Sequence, residues 1–194
     1  MKRIGFIFLI LFILFQQKVW SKDIVNEFLI AEPQMKDSRF KETVIFMFSH
    51  NQDGAAGLVI NKPIKTMSIN KLFKSSNLVS PKNMVQKEII LYWGGPVNSE
   101  QIFFVHSSDY KSNDIILSNN DFTITREPKV LFDIAKDKGP KNYLIISGIA
   151  VWSPGQLEHE IRANSWMTLS ADSSFLFADS IFSPNLAIKM AVLI

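Results

Sequence analysis

The sequence predicts a mainly antiparallel α+β domain, and three observations support that prediction. Short apolar runs rich in Phe, Ile and Val alternate with clusters of turn residues, which is typical of strands. Several runs follow one another after short polar connections that suit hairpins. The regular alternation of strand and helix that builds a doubly wound parallel sheet is missing. A length of 194 residues, of which 47% are hydrophobic, suffices for one domain with a sizeable core.

The N-terminal segment is predicted to be a leader and not part of the fold. Lys2 and Arg3 precede an unbroken apolar run over residues 4–15, and small residues precede a cleavage point after Ser21. The run is shorter than the roughly 20 residues that span a bilayer. Residues 1–21 are therefore predicted to be a signal peptide.

Cleavage of the leader leaves residues 22–194 as a single domain in the periplasm. The alternative is a domain that stays tethered to the membrane by an uncleaved run over residues 4–15. In either case the leader is the only segment predicted to contact a membrane.

The charge balance argues against a nucleic-acid partner. Three of the 21 basic residues belong to the leader, which has no acidic residue, so the remaining chain carries 18 of each sign. Proteins that bind nucleic acids normally present a basic face to the phosphates. The lysines between residues 62 and 74 are interpreted as solvated loop positions. The absence of cysteine excludes a cysteine nucleophile and cysteine-ligated zinc.

The first three strands are predicted over residues 28–31, 43–49 and 56–61. Between the last two, the stretch HNQDGAA supplies Asn51, Asp53 and Gly54, which tolerate positive φ, so we expect a tight hairpin. Pro63 is expected to end the third strand.

A short helix is predicted over residues 68–74, with Ser68 or Thr66 as its N-cap. Its buried face is predicted to comprise Ile69, Leu72 and Phe73. The polar residues 75–87 show no clear period and are predicted to form a loop.

The next strand, residues 89–93, stops at a Gly-Gly-Pro turn, and residues 102–106 are expected to return as its hairpin partner. Residues 107–121 are predicted to form an exposed excursion with a short strand over residues 115–117. A further strand is predicted over residues 122–125.

A helix over residues 128–138 is predicted from Pro128 in its first turn and Gly139 just past its end. The strongly apolar residues 143–150 are expected to form a central strand. Further strands are predicted over residues 165–170 and 174–177, and a terminal helix over residues 183–194.

The stretch WSPGQLEHEIRANSW, residues 152–166, is predicted to contain a capped helix. Ser153 suits the N-cap, Pro154 suits the first helical position, and Gln156 lies at the spacing of a capping box. Leu157 and Ile161 are expected to face the core.

The other polar side chains of this helix are expected at its surface. Glu158 and Arg162 have the favourable i, i+4 order of an ion pair, and His159 and Glu160 are expected to be solvated. The two tryptophans that bracket the stretch are expected in the core.

Four segments, in their joint order, resemble the YqgE/AlgH family of bacterial proteins. The stretch FLIAEPQMKDSRFKETVIFMFSHNQDGAAGLVINKP resembles the family's opening, and WGGPV and FFVHSSD follow. WSPGQLEHE then matches the family's WxPGQLExE element, and the match continues to Asn164 and Trp166. The resemblance covers roughly residues 28–178.

The resemblance implies an α+β fold with a bifurcated β-sheet that is curled into a pseudo-barrel and flanked by helices. Family members are mostly without an assigned activity, and some are labelled transcriptional regulators, with a cytoplasmic location as the default. This chain departs from the pattern by its leader. It also has Ile149 and Val151 where the family typically shows Tyr and Gly.

One polar constellation is large enough to form a site. Its candidate residues are His50, Asn51, Asp53, Asn61, Gly94, Gly95, Pro96, His106, Trp152, Gln156, Glu158, Asn164 and Trp166. No catalytic residue, metal ion or cofactor is predicted, because no HExxH, GxSxG, P-loop or GxGxxG pattern is present. A serine hydrolase using Ser107 and His106 is disfavoured, since neighbours in a strand point to opposite faces.

These observations predict an exported, non-catalytic module that binds a protein or a small molecule through this surface. One alternative is a cytoplasmic transcriptional regulator, although no basic recognition helix is visible. The second alternative is a metal-assisted hydrolase in which His50, His106 and Glu158 hold the ion, since both histidines end predicted strands and could share one rim.

Overall fold

The computed structural model describes residues 23–171 and 173–177, which form ten strands and four helices. The strands are β1 (Glu27–Ala31), β2 (Val44–Asn51), β3 (Gly54–Val59), β4 (Pro63–Ser68), β5 (Glu88–Trp93), β6 (Val97–Ser107), β7 (Ile115–Ser118), β8 (Phe122–Thr125), β9 (Tyr143–Trp152) and β10 (Trp166–Ser170). The helices are α1 (Ile69–Ser75), α2 (Lys129–Ala135), α3 (Gln156–Arg162) and the single turn α4 (Ser173–Leu176). None of the helices in these two ranges is long and apolar enough to cross a bilayer.

The strands form one mostly antiparallel sheet that forks at β9. The main path runs β10-β1-β2-β3-β9-β6-β8-β7, and β5 branches from β9 together with its partner β4. One side of β9 is lined by β6. The other side is divided, because β5 pairs in parallel with residues 145–147 and β3 pairs antiparallel with residues 150–152. The bifurcated sheet is therefore confirmed.

Glycines allow three strands to meet at this fork. The backbone N–H of Gly94 donates to the Ser147 carbonyl at 2.8 Å, and the Gly94 carbonyl accepts from the Val59 N–H at 3.0 Å. Gly94 thus bridges β9 and β3. A Cβ atom on Gly94 would lie 2.2 Å from a backbone oxygen of β9, and one on Gly95 would lie 2.2 Å from the Ala150 nitrogen. The two glycines are needed because no side chain fits between the strands.

Aromatic rings show how far the sheet curls. Phe46 of β2 and Phe122 of β8 are separated by three strands along the sheet, yet their ring centroids lie 5.1 Å apart. The two wings of the sheet therefore face each other and form a half-barrel. Leu176 of α4 is fully buried in the same core, together with Phe28 and Leu58.

The helices α1, α2 and α3 cover the outer faces of the sheet. Phe73 of α1 and Leu131 of α2 pack in a second core cluster with Ile145, whereas Ile146, the next residue of β9, belongs to the half-barrel core. Burial on both faces is expected of a central strand. Leu157 of α3 packs in a third cluster, which also contains both tryptophans of the 152–166 stretch.

Most predicted elements are confirmed to within a few residues, including the hairpin of β2 and β3 and the buried face of α1. The predicted pairing of β5 with β6 is wrong, because β9 lies between them. Pro63 does not merely end a strand, since it is also the first residue of β4. Among the described strands, β4 pairs only with β5, and at such an edge the missing N–H of proline is tolerated.

The strand predicted near the C-terminus is not present. Residues 174–177 form no strand, because Ser173–Leu176 is a helical turn that inserts Leu176 into the half-barrel core with Phe175 and Phe177 packed beside it. The leader and the predicted terminal helix lie outside the described residues.

The fork predicts a large difference between two glycine-to-alanine substitutions. Gly95 has φ 151° and backbone atoms of β9 at 2.2 Å from a built Cβ, so Gly95→Ala should lower the free energy of unfolding by at least about 3 kcal/mol. Gly155 has φ 75° and no atom within 4 Å of such a Cβ. Gly155→Ala should cost only about 1 kcal/mol. Urea denaturation of both variants checks the prediction, and equal losses would contradict the steric role of Gly95.

Candidate functional site

The turn before α3 is built around a glycine and not around the predicted serine cap. Gly155 is the N-cap in the left-handed conformation, and the side chain of Ser153 makes no capping bond. Pro154 is therefore not the first helical residue, because the left-handed residue after it interrupts the helix. The backbone N–H of Ser153 donates to Gln156 Oε1 at 3.0 Å. Of the two bonds of the predicted capping box, only the one that uses the Gln156 side chain forms.

One carboxylate holds two tryptophans. Glu160 Oε2 accepts hydrogen bonds from Nε1 of Trp152 at 2.9 Å and from Nε1 of Trp166 at 2.8 Å. Glu160 Oε1 accepts from Gln156 Nε2 at 2.9 Å. The two indole rings meet edge to face with centroids 6.0 Å apart, and both residues are 4% exposed. The expectation that Glu160 is solvated is wrong, because its carboxylate joins α3 to β9 and β10.

The same residues line a groove of about 310 Å³, here named the tryptophan groove. Phe40 also lines the groove, and its ring centroid lies 5.7 Å from that of Trp166 and 5.5 Å from that of Trp93. Pro96 and the exposed Val151 add apolar surface to the lining. The volume is at the lower end of the range of small-molecule sites.

Lys36, Asp37 and Arg39 supply a charged rim to the groove. Arg39 Nη2 lies 2.6 Å from Asp37 Oδ2, and the hydrogen bonds from Arg39 hold the pKa of Asp37 below its usual range despite partial burial. Lys62 Nζ donates to the Arg39 carbonyl at 2.7 Å and lies 5.2 Å from the ring centroid of Trp93. The Asp37 carboxylate is thus already paired within the rim.

A histidine and a glutamate tie α3 to the β2–β3 hairpin. His50 Nε2 lies 3.1 Å from Glu158 Oε1, and His50 Nδ1 lies 4.0 Å from Asp23 Oδ1. Burial is the largest influence on the pKa of Glu158 and raises it. Burial is outweighed by the backbone N–H of Glu158 itself, by the bond to His50 and by the charges of His50 and Arg162. Together they hold the pKa of Glu158 below its usual range. Glu158 therefore bonds to His50, and Arg162 acts only as a nearby charge.

Two further candidates, Asn51 and Asn61, bond to the backbone. Asn51 Oδ1 accepts from the Asp53 N–H at 2.8 Å and closes the hairpin turn. Asn61 Oδ1 accepts from the Val44 N–H, and Asn61 Nδ2 donates to the Glu42 carbonyl, each at 2.9 Å. These side chains hold loops in place and leave the groove to other residues.

Asn164 ends the helical segment. It has φ 53°, a left-handed conformation that suits asparagine after a helix, and its carbonyl accepts from Gln34 Nε2 at 2.7 Å. This contact joins the end of α3 to the loop after β1. The neighbouring residues Met35 and Ser165 line the tryptophan groove.

His106 lies at the other end of β9 from His50. His106 is opposite Tyr143, whereas His50 is opposite Ala55, which is itself opposite Trp152. The first and last residues of β9 are roughly 30 Å apart along an extended strand. The expectation of a shared rim is therefore wrong.

The metal-assisted hydrolase prediction fails with it. His106 is far from the His50–Glu158 pair, and the described ranges contain no cluster of three His, Cys, Asp or Glu that could hold an ion. The hypothesis assumed that β2 and β6, which carry His50 and His106 near their C-terminal ends, end at the same edge of the sheet. The two strands run in opposite directions, so these ends lie at opposite edges.

His106 is fully buried and has its own partners. Its Nδ1 lies 2.9 Å from the Ser107 carbonyl, its Nε2 lies 3.1 Å from Ser112 Oγ, and its ring packs edge to face with Tyr110. Ser107 Oγ donates to Asp109 Oδ1, and this bond lowers the pKa of Asp109. The hydroxyl of Ser107 and the imidazole of His106 do not meet, in agreement with the strand geometry.

Sequence reasoning missed two parts of the site. The candidate residues did not include Glu160 or the lining residues from the loop after β1, which are Met35, Lys36, Asp37, Arg39 and Phe40. A signal for Glu160 exists in the sequence, because it stands one turn after Gln156 and between two tryptophans whose N–H groups need acceptors when buried. Residues 35–40 carry no such signal, since their position depends on how the loop after β1 folds back.

Comparison with known proteins settles the family. The AlgH-like family matches residues 28–184. The chain belongs to the AlgH-like family. The UPF0301 protein of Rickettsia massiliae (strain Mtu5) is 36% identical over 153 residues, which is 78% of this chain and 79% of that protein. The UPF0301 protein of Rickettsia rickettsii (strain Iowa) is 37% identical over 154 residues, with the same coverage.

Solved structures agree with the fold of this AlgH-like chain. The solution structure of the AlgH protein from Pseudomonas aeruginosa has a TM-score of 0.72 and 34% identity, over 89% of each chain. A crystal structure of a protein from Corynebacterium diphtheriae has a TM-score of 0.60 and 20% identity, over 79% of each chain. The second similarity concerns the fold alone.

The carboxylate between the tryptophans predicts a strong effect of truncation. Glu160→Ala leaves two buried indole N–H groups without an acceptor, so the free energy of unfolding should fall by roughly 3 kcal/mol. His159→Ala removes an exposed neighbour on the same helix and should change it by less than about 0.5 kcal/mol. Urea denaturation measures both values. A loss in Glu160→Ala no larger than that of His159→Ala would show that the indoles do not depend on the carboxylate.

Proposed function

We propose that this AlgH-like protein is an exported, non-catalytic binding protein whose ligand site is the tryptophan groove. The observation that carries the proposal is the fixation of Trp152 and Trp166 by a single carboxylate in the wall of a preformed, partly apolar cavity. Sites for small molecules combine apolar walls with a few fixed polar groups in this way.

The polar groups of the groove support binding over catalysis. The Glu160 carboxylate is occupied by three N–H donors, and the Asp37 carboxylate is occupied by Arg39. A general base needs a free acceptor within hydrogen-bond reach of its substrate. Groups that are already paired fix the walls and orient a ligand instead.

Neither alternative function gains support from the described residues. The separation of His50 from His106 removes the ligand set of the proposed hydrolase. A regulator that reads DNA needs a helix able to enter the major groove, and the helices described here have at most seven residues and pack on the sheet.

Blocking the groove tests the proposed site. Val151 is 48% exposed on β9 and lines the groove, so Val151→Trp should fill it without disturbing the core. Compounds that stabilise the wild-type protein in a thermal-shift screen should bind Val151→Trp at least about tenfold more weakly. Ile115→Trp, at an exposed position of the edge strand β7, is the matched control and should retain the wild-type response.

Two results would contradict the binding proposal. Equal stabilisation of wild type and Val151→Trp would place the ligand elsewhere. If NMR of the ligand showed that the protein converts a bound compound chemically, the protein would be an enzyme.

Export is tested separately, by N-terminal sequencing of the protein from fractionated host cells. We expect a periplasmic product that begins at Lys22, because the apolar run over residues 4–15 is too short for a spanning helix and precedes a cleavage point. An intact Met1 in the membrane fraction would indicate a tethered domain. A soluble cytoplasmic product with Met1 would contradict export and return the regulator hypothesis to consideration.

A further inference from the structure

A second depression lies on the face of the sheet that carries α1 and α2. It measures about 760 Å³ and is lined in part by Val79, Pro81, Lys82, Phe132, Lys136 and Lys138. We name it the lysine surface after its three lysines. No residue of its lining is acidic. It therefore differs from the tryptophan groove, where positive and negative side chains are paired.

The hydrogen bonds and ion pairs of the nearby carboxylates go to other side chains. Asp133 accepts hydrogen bonds from Tyr110 Oη at 2.6 Å and from Lys129. Burial raises the pKa of Asp133, but these bonds and the charges of Lys129 and Lys136 outweigh burial and lower it. Asp137 lies 3.9 Å from Lys87. Among the described residues, none of the three lysines of the surface forms an ion pair. Three ammonium groups thus face solvent around one depression.

An exposed apolar side chain lines the same depression as these lysines. Val79 is 85% exposed, which is the highest exposure of any large hydrophobic residue in the described ranges. Phe132, which is half-buried, lies in the same lining, and its ring packs edge to face on Phe73 of α1 with centroids 5.0 Å apart. Exposed apolar groups surrounded by lysines are typical of surfaces that contact anionic membranes.

The loop that presents Val79 is held in place on both sides. The Leu78 N–H donates to the Phe73 carbonyl at 2.8 Å, and Ser80 Oγ donates to Asn70 Oδ1 at 2.9 Å, which fixes the loop to α1. The Val85 N–H donates to a carbonyl at the end of α2, also at 2.8 Å. The surface therefore exists before any partner binds, and binding need not order the loop.

We propose that the lysine surface docks on the anionic phospholipid headgroups of a membrane. Lys82, Lys136 and Lys138 contact the phosphates, and Val79 inserts at the level of the acyl chains. Charge complementarity selects this occupant, since three exposed lysines that form no ion pair line the same depression as one exposed apolar residue. The contact is additional to the leader, which is the only membrane-contacting segment that the sequence predicts. It is independent of what the tryptophan groove binds.

Vesicle co-sedimentation of the protein isolated from its host tests the proposal. Partitioning should be stronger to vesicles that contain phosphatidylglycerol than to vesicles of phosphatidylcholine alone. The triple variant Lys82→Ala, Lys136→Ala, Lys138→Ala should lower the partition coefficient for the anionic vesicles by roughly 100-fold. Val79→Asp should lower it by about tenfold.

The matched control removes three exposed lysines from other parts of the surface, as Lys41→Ala, Lys65→Ala, Lys111→Ala. It changes the net charge equally and should stay within a few-fold of the wild type, and circular dichroism verifies the fold of each variant. An equal loss in both triple variants would reduce the effect to net charge and overturn the proposal. Equal binding to both kinds of vesicle would overturn it as well.

Soluble competitors distinguish the membrane from other anionic partners. At matched ionic strength, inorganic phosphate and polyglutamate should leave the protein on the anionic vesicles. Displacement by phosphate would reassign the surface to a free phosphate ligand. Displacement by polyglutamate would reassign it to an acidic protein partner, and either result would overturn the membrane assignment.

Discussion

The architecture depends on a close approach of backbones at the fork of β9. Gly94 bonds to β9 through its N–H and to β3 through its carbonyl, and a side chain at Gly94 or Gly95 would collide with β9. Because β9 changes neighbours from β5 to β3 at this point, one strand can serve two branches of the sheet. The fork lets the sheet curl into a half-barrel, and it places Pro96 beside the end of β9 that carries Trp152.

The tryptophan groove is fixed by a polar network inside an apolar cluster. Tryptophan is largely hydrophobic, but its N–H must find an acceptor when the ring is buried. Glu160 supplies one acceptor atom for two rings, and its carboxylate accepts hydrogen bonds from three N–H donors in all. The His50–Glu158 contact adds a second tie between the same helix and the sheet. Such a wall holds its shape without a ligand, as a preorganised binding site requires.

Polar chemistry is divided between the two ends of β9. The end at Trp152 carries the groove, with paired charges and aromatic rings, whereas His106 at the end near Tyr143 is buried among its own partners. The lysine surface occupies the side covered by α1 and α2, where Lys82, Lys136 and Lys138 line one depression without forming ion pairs. The two proposed contacts therefore use separate surfaces of different chemistry.

The sequence by itself determined the elements whose signals are local. The turn at residues 51–54, the apolar face of α1 and the class of fold follow from turn chemistry and periodicity, which act over a few residues. The family resemblance added the bifurcated sheet. Only the tertiary structure decided that β9 lies between β5 and β6, that His50 and His106 are far apart, and that Glu160 is bonded by indoles. Pairing between strands distant in sequence depends on the packing of the whole sheet. The sequence shows that two buried tryptophans would need acceptors, but only this packing brings both indoles within reach of Glu160.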